Sequence, residues 1–180
     1  MNEFQRMAWS PTAHAHASRV RGLAGDRRLL LGVDRLDYTK GLTQRLDGFE
    51  RFLGEHPDTA PDLCYLQLAP VSRAQVSAYA HLRESLEKQA GRINARFATM
   101  DAEPLRYVNE GVSREALAGI YSAADVALVT PVRDGMNLVA KEFVAAQPVD
   151  DPGVLILSRF AGAAEHALGA LVVNPHDPQD

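Results

Sequence analysis

The residues of this chain best suited to chemistry on a phosphorylated ligand are two cations, Arg35 and Lys40, and an acidic turn much further along, Asp134-Gly-Met-Asn-Leu-Val-Ala-Lys-Glu142. Arginine offers a planar fork to phosphate oxygens and lysine a mobile point charge, so together they can neutralise a departing diphosphate. The acidic turn follows Asp125-Val-Ala-Leu-Val-Thr-Pro131, a β-branched apolar run ended by proline. Gly135 is expected to let the backbone turn there, with a helix beginning near Met136. The first amides of a helix lack internal partners, and aligned peptide dipoles make that end attractive to anions. Met136, Asn137, Leu138 and Val139 are therefore the candidate phosphate-binding amides. Glu142, seven residues after Gly135 and on the same expected helix face, suits the hydroxyls of a ribose. Asp134 suits the hydroxyls of a group on the other side of the phosphate. A sugar nucleotide fits that arrangement. Taken singly, the turn also fits a plain strand-loop-helix unit with a solvated Lys141–Glu142 pair, and Arg35 fits a surface pair with Asp34 or Asp37. Two such strand ends in one chain favour the ligand site.

The elements that must position these groups alternate along the chain. A strand is expected near Leu29 to Val33, a helix near Thr43 to Gly54, a strand near Leu63 to Leu68 and a long helix from about Arg73 to Phe97. In the long helix Val76, Tyr79, Ala80, Leu82, Leu86, Ala90 and Ile93 recur at mostly three- or four-residue spacing and read as core. A strand near Arg106 to Val108 and a helix from Ser113 to Ala123, with Ser113 as cap, precede the acidic-turn unit. Val154 to Leu157 and Leu171 to Val173 complete the pattern. The fold class is α/β, a Rossmann-like parallel sheet with helices on both faces. In an open sheet of this kind ligands collect at the carboxyl ends of the strands, where Arg35, Lys40 and the Gly135 turn all fall. Gln147-Pro-Val-Asp-Asp-Pro-Gly153 reads as a turn-rich loop inside the domain, and the segment through Gly25 carries no clear assignment.

Composition narrows the function classes. Apolar residues at 46% can form a core that 23% charged residues cover. A net charge of -4 with no basic stripe argues against nucleic acid as partner. The single cysteine, Cys64, precludes an internal disulfide, lies in an apolar run and reads as core. The opening Met1-Asn-Glu-Phe-Gln-Arg-Met-Ala-Trp9 has no apolar signal segment and no later run is long enough to span a membrane, so the cytoplasm is the expected compartment. His14 and His16 have no further ligands near them in sequence and read as a solvated pair, not a metal site. A Gly-x-Gly-x-x-Gly after the first strand and a Walker-type loop are both missing, which sets aside dehydrogenase and P-loop readings.

The stretches Val33-Asp-Arg-Leu-Asp-Tyr-Thr-Lys-Gly41 and Asp134 to Glu142 together resemble the trehalose-6-phosphate synthase family of retaining, two-domain GT-B glycosyltransferases. The resemblance extends to Leu68-Ala-Pro-Val-Ser-Arg73, Glu87-Lys-Gln-Ala-Gly-Arg-Ile-Asn94, Ser158-Arg-Phe-Ala-Gly-Ala163 and Val172-Val-Asn-Pro175, covering the chain from about Arg19 onward. It implies that Arg35 and Lys40 steady the leaving diphosphate. Asp134 is then the ligand of a glucose hydroxyl, with Gly135, Met136 and Asn137 bringing backbone groups to the same sugar. Leu138 and Val139 supply phosphate-binding amides, Glu142 holds the ribose, and the backbone around Val112 meets the nucleobase. Arg73 resembles the arginine that reaches the phosphate of glucose 6-phosphate. Arg159 to Glu165 helps line the donor cleft by the same likeness, although on its own it reads as structural. Arg106-Tyr107 and Glu165-His166-Ala167 depart mildly from the family's pattern.

The implied reaction moves glucose from UDP-glucose, or another nucleoside diphosphate glucose, to glucose 6-phosphate with an α,α-1,1 linkage and retention at the donor carbon. A front-face route is implied, in which the leaving phosphate oxygen takes the acceptor proton without a covalent glycosyl-enzyme. This differs from the paired carboxylates of glycosidases. No metal or other cofactor is expected, because cations and helix amides carry the charge neutralisation. At 180 residues the chain suits one domain where the family needs two. The expected organisation is a leading segment 1–25 and a donor-binding domain 26–180, one half of a GT-B fold, lacking the amino-terminal acceptor domain and the final helices. Homo-oligomers remain possible through interdomain apolar surface. Alternative readings are a glucosylglycerol-phosphate synthase-like transferase and a non-catalytic nucleotide-sugar binding fragment.

Overall fold

The structure is a computed structural model that describes residues 3–70, 77–167 and 169–177. Short, nearly continuous apolar runs form strands β1 (Arg28–Val33), β2 (Leu63–Leu68), β3 (Leu105–Val108), β4 (Val126–Val129), β5 (Val154–Ser158) and β6 (Leu171–Val173). All pair in parallel in one six-stranded sheet of order β3-β2-β1-β4-β5-β6. Parallel neighbours need a crossover, and the helices that make it cover both faces of the sheet. Every residue of β2 is accordingly buried, Cys64 included.

The pleat sends alternate residues to two cores. On one face Leu29, Leu31, Leu66, Val129 and Leu157 meet helices α1 (Glu3–Ala8), α2 (Pro11–Ala24), α5 (Arg114–Ala123) and α6 (Leu138–Ala146). On the other, Leu63, Tyr65 and Leu105 meet α3 (Leu42–Glu55) and α4 (Ser77–Phe97). Leu42, Leu46, Phe49 and Leu53 form the buried stripe of α3, and each fully buried leucine contributes about 1.5–3 kcal/mol by leaving water. In α4, Leu82, Leu86, Ala90 and Ile93 are buried as expected, but Ala80 is exposed and Tyr79 half-buried. The apolar stripe turns away from Ala80 while Tyr79 leans on the ring of Tyr38, 6.2 Å between centroids. Val76 lies outside the described residues. Arg83–Glu87 and Glu84–Lys88 ion pairs lace the solvent face of α4.

The leading segment, unassigned from sequence, forms α1 and α2. Ser10 caps α2 by accepting from the Ala13 amide at 3.2 Å, with Pro11 in the first turn, and Gly25 ends it at a φ of 63°. Arg21 then clamps Asp125 with two hydrogen bonds, 2.8 and 2.9 Å, while Asp125 also accepts from the Leu29 amide at 2.6 Å. One carboxylate thus ties α2 to the entrances of β1 and β4. His14 turns Nδ1 to the Ser10 carbonyl at 3.0 Å. Among the described residues, no helix is long and apolar enough to cross a membrane.

Candidate functional site

Strand order reverses between β1 and β4, because the first three strands run outward one way and the last three the other. Connections leaving β1 and β4 must part to opposite faces there, and the gap between them is where open α/β sheets take ligands. Both chemical segments identified from sequence begin at that point.

The β1 connection is anchored on both sides of Arg35. The Asp34 amide donates to the Leu68 carbonyl at 3.0 Å and the Leu36 amide to the Pro70 carbonyl at 3.1 Å. Asp34 and Leu36 are buried, whereas Arg35 between them is exposed. The alternative reading of Arg35, a surface pair with Asp34, does not form: Asp34 turns inward to Arg45. Asp37 is also engaged, capping the short 3-10 turn Tyr38–Lys40 by accepting from the Thr39 amide and hydroxyl at 2.9 and 2.8 Å. Burial works against the charge of Asp37, but these bonds and the nearby Arg35 and Lys40 hold its carboxyl below the ordinary range. Gly41 follows in the left-handed region at a φ of 65°, so close to β4 that a Cβ would stand 2.5 Å from the Thr130 carbonyl. Only glycine fits there.

The β4 connection lies directly against this turn. The Val132 and Arg133 amides both donate to the Thr39 carbonyl, at 2.9 and 3.2 Å. Lys40 Nζ and Asp134 Oδ2 are 2.5 Å apart with each side chain about 15% exposed, so two residues picked separately from sequence meet at one spot. Asp134 also accepts from Asn137 Nδ2 at 3.1 Å and from the Met136 amide at 3.4 Å. Burial alone would raise its pKa, yet the bond and charge of Lys40 outweigh that and hold the carboxyl below the ordinary range.

Helix α6 begins at Leu138, two residues later than expected. Asn137, not Gly135, takes the left-handed conformation, with a φ of 68°, and its Oδ1 accepts from the Ala140 amide at 3.0 Å. Asparagine tolerates that region and caps well, so its side chain stops the helix from extending back to Met136. The first-turn amides are those of Leu138, Val139 and Ala140, and the Ala140 amide is already spent on the cap. Met136 and Asn137 belong to the turn before the helix. Glu142 consequently lies one turn beyond Leu138, not two turns along a helix that includes Gly135. Its carboxylate is half-buried beside α5, where burial raises its pKa against the opposing charge of Arg114.

A third connection supports the turn from below. Asp134 donates its amide to the Phe160 carbonyl at 3.1 Å, Gly162 returns an amide to the Asp134 carbonyl at 3.0 Å, and the Ala163 amide donates to the Met136 carbonyl at 2.9 Å. Gly162 stands so close that an added Cβ would be 2.1 Å from the Gly135 carbonyl oxygen. Val112 is exposed at the entrance to α5, just before Ser113, whose hydroxyl accepts from the Ala116 amide at 3.1 Å. Arg73 lies outside the described residues.

Sequence reasoning missed Arg45. It falls on the apolar stripe Leu42-Leu46-Phe49-Leu53, and a charge at that spacing was the available signal. Buried with Asp34, Gln67, Tyr65 and Thr130, it forms a polar layer directly under the crevice. Burial opposes the Arg45 charge but Asp34 keeps the guanidinium protonated, and burial pushes the Tyr65 phenol up to about 12.

The crevice can therefore seat an anion among an exposed arginine, a lysine and helix-start amides, with a carboxylate beside it for hydroxyls. Comparison with known proteins bears on the family and the fold. The trehalose-6-phosphate synthase of Sinorhizobium fredii is 49% identical over 174 residues, covering 97% of this chain and 38% of that protein. That of Sodalis glossinidius is 51% identical over 150 residues, covering 83% of this chain and 32% of its own length. The chain thus spans about a third of the length of the curated relatives it matches. Among solved structures, a UDP-forming α,α-trehalose-phosphate synthase from Burkholderia xenovorans in complex with glucose-6-phosphate superposes with a TM-score of 0.94 at 45% identity, over 98% of this chain and 38% of that one. An E. coli structure bound with UDP-2-fluoro glucose superposes with a TM-score of 0.92 at 43% identity, over 98% of this chain and 39% of that one. The model of glycosyltransferase family 20 matches residues 1–180, and on that full-length match the chain belongs to glycosyltransferase family 20.

Proposed function

We propose that this chain is the donor-binding half of a retaining hexosyltransferase that moves glucose from UDP-glucose, or another nucleoside diphosphate glucose, to glucose 6-phosphate and forms α,α-trehalose 6-phosphate. The meeting of Lys40 with Asp134 at the strand-order reversal carries the reading, because it puts a candidate phosphate cation and a candidate sugar-hydroxyl acceptor within hydrogen-bonding distance of each other in a family 20 chain. In this assignment Arg35 and Lys40 take the diphosphate, Leu138 and Val139 offer it their amides, and Asp134 orients the glucose with Gly135, Met136 and Asn137. Glu142 accepts from the ribose, and the backbone at Val112 meets the base. Arg73 serves the acceptor phosphate.

The chemistry asks little covalent work of these groups. The donor C1–O bond breaks, a bond forms from C1 to the acceptor oxygen on the same face, and the acceptor proton passes to the departing phosphate oxygen. Charge accumulates on the diphosphate as it leaves, and fixed cations and amides aimed at it lower that barrier. No metal is assigned a part. Residues 26–180 are proposed as the donor domain, the cytoplasm as the compartment and a second, acceptor-binding domain as what completes the enzyme. Calorimetric titration with UDP, ADP and UDP-glucose, alongside the Glu142→Ala variant, tests the reading. Binding that weakens about tenfold or more in the variant supports it, since a hydrogen bond to a charged acceptor is worth about 1.5–3 kcal/mol. A folded wild-type protein that binds none of the three refutes it.

A further inference from the structure

Arg45 distributes its donors over four acceptors on three stretches of the chain. Nη1 donates to Asp34 Oδ2 at 2.6 Å and to Gln67 Oε1 at 3.0 Å, Nε to Thr130 Oγ1 at 2.9 Å, and Nη2 to the Lys40 carbonyl at 3.2 Å. Gln67 is itself fixed, accepting from the Tyr65 hydroxyl at 2.5 Å and donating to the Leu68 carbonyl at 3.0 Å. These partners sit at the carboxyl ends of β1, β2 and β4 and in the turn that carries Lys40. Nothing larger fits the layer: a Cβ on Gly32 would lie 2.2 Å from Gln67 Oε1 and 2.9 Å from Arg45 Nη1.

Stability alone is a poor reason for such a layer. A buried ion pair roughly repays its desolvation, and apolar residues of equal volume often do as well or better. Asp34 Oδ1 is moreover buried with no hydrogen-bond partner among the described residues, a cost that a purely stabilising arrangement would avoid. What the guanidinium supplies is rigid geometry, because its planar fork fixes several acceptors at once. Two of those acceptors, the Lys40 carbonyl and Thr130, lie on the two connections that the Lys40–Asp134 pair joins.

We propose that Arg45, held in place by Asp34, is a positioning residue for the anion site: it fixes the backbone at Lys40 and at Thr130 and thereby sets where the Lys40 ammonium stands when a diphosphate arrives. The inference rests on the donor-site reading above and adds to it a group that touches no ligand. Arg45→Lys keeps the charge opposite Asp34 but loses the fork, so it cannot hold Thr130 and the Lys40 carbonyl together. Thr130→Val removes one hydroxyl and keeps the ion pair.

The readout is the ratio of dissociation constants for UMP and UDP, which isolates the second phosphate. If ADP or GDP binds the wild type more tightly, that nucleotide and its monophosphate are used instead. A wild-type protein that binds diphosphate no better than monophosphate ends the donor-site reading before any variant is made. Arg45→Lys is expected to lower the ratio about fivefold or more, toward that of Lys40→Ala, with UMP binding unchanged within about twofold. Thr130→Val is expected to lower it about two- to threefold. An unchanged ratio in folded Arg45→Lys, or equal weakening of UMP and UDP, overturns the proposal. Should Arg45→Lys fail to fold, Thr130→Val decides, and a wild-type ratio there overturns it.

Discussion

Replacing Asp134 by asparagine should strengthen binding of UDP while weakening the added grip on UDP-glucose. The substitution is nearly isosteric, and an asparagine carbonyl can still accept from Asn137 Nδ2 or the Met136 amide, so the turn keeps its shape. What disappears is one negative charge beside the anion site and the partner that holds Lys40 at 2.5 Å. At about 15% exposure the carboxylate lies between surface and interior. With an effective dielectric of roughly 40 and a separation on the order of 6 Å, one charge acting on another is worth about 1.4 kcal/mol. Relief of that repulsion, with Lys40 released toward the phosphates, should tighten UDP about tenfold. The glucose, losing a charged acceptor for its hydroxyl, should give back about 1.5–3 kcal/mol of its own contribution. Calorimetry with UDP and UDP-glucose on wild type and variant separates the two effects, because they carry opposite signs. UDP binding that weakens in a folded Asp134→Asn protein would refute the placement of Asp134 beside the diphosphate.

Arg35→Ala, in a protein that joins this domain to an acceptor domain, should lower kcat about a hundredfold or more, as loss of a single oxyanion donor does, while glucose 6-phosphate binding changes little. Steady-state kinetics with unchanged kcat would remove Arg35 from the leaving-group role. The carboxyl of Asp125 is held low because Arg21, the Leu29 amide and Arg28 outweigh the effect of burial. Its folded pKa is below the unfolded value of about 3.9, so the stability it confers is full above that pH and is lost as pH falls through the folded value. Asp125→Asn should therefore cost about 1 kcal/mol at neutral pH, a figure discounted because Arg21 is 42% exposed, and flatten the acid limb of a denaturation series below about pH 4. An acid limb identical to wild type would show that Asp125 does not titrate on unfolding. Treatment with a chelator should leave donor binding unchanged by calorimetry, and a strict requirement for added magnesium would count against charge neutralisation by Arg35, Lys40 and the α6 amides.

Much of the fold is written locally. Strand residues Leu63 to Leu68 and the helix starting after Ser113 appear in the structure where apolar runs and a capping hydroxyl place them, since strand period and side-chain capping act over a few residues. The two connections that carry Arg35, Lys40 and Asp134 were legible for the same reason: a strand end, a turn and a helix start lie consecutively in sequence. The start of α6 was misjudged because two local choices competed at Gly135 and Asn137, and the asparagine side chain won by capping Ala140.

Tertiary structure alone decided what those segments do together. Each strand-helix unit is locally equivalent to the next, so sheet order is settled by packing of the whole chain, and that order makes β1 and β4 neighbours. From it follow the Lys40–Asp134 pair, the fit of Gly162 against the Gly135 carbonyl and the burial of Arg45 under both connections. Arg45 shows the division most clearly. In sequence it is a charge interrupting an apolar stripe, a pattern that surface helices tolerate. It becomes a fixed part of the polar layer only because Asp34 and the Lys40 carbonyl, Gln67 and Thr130, brought from three separate stretches, accept from it at once in the interior.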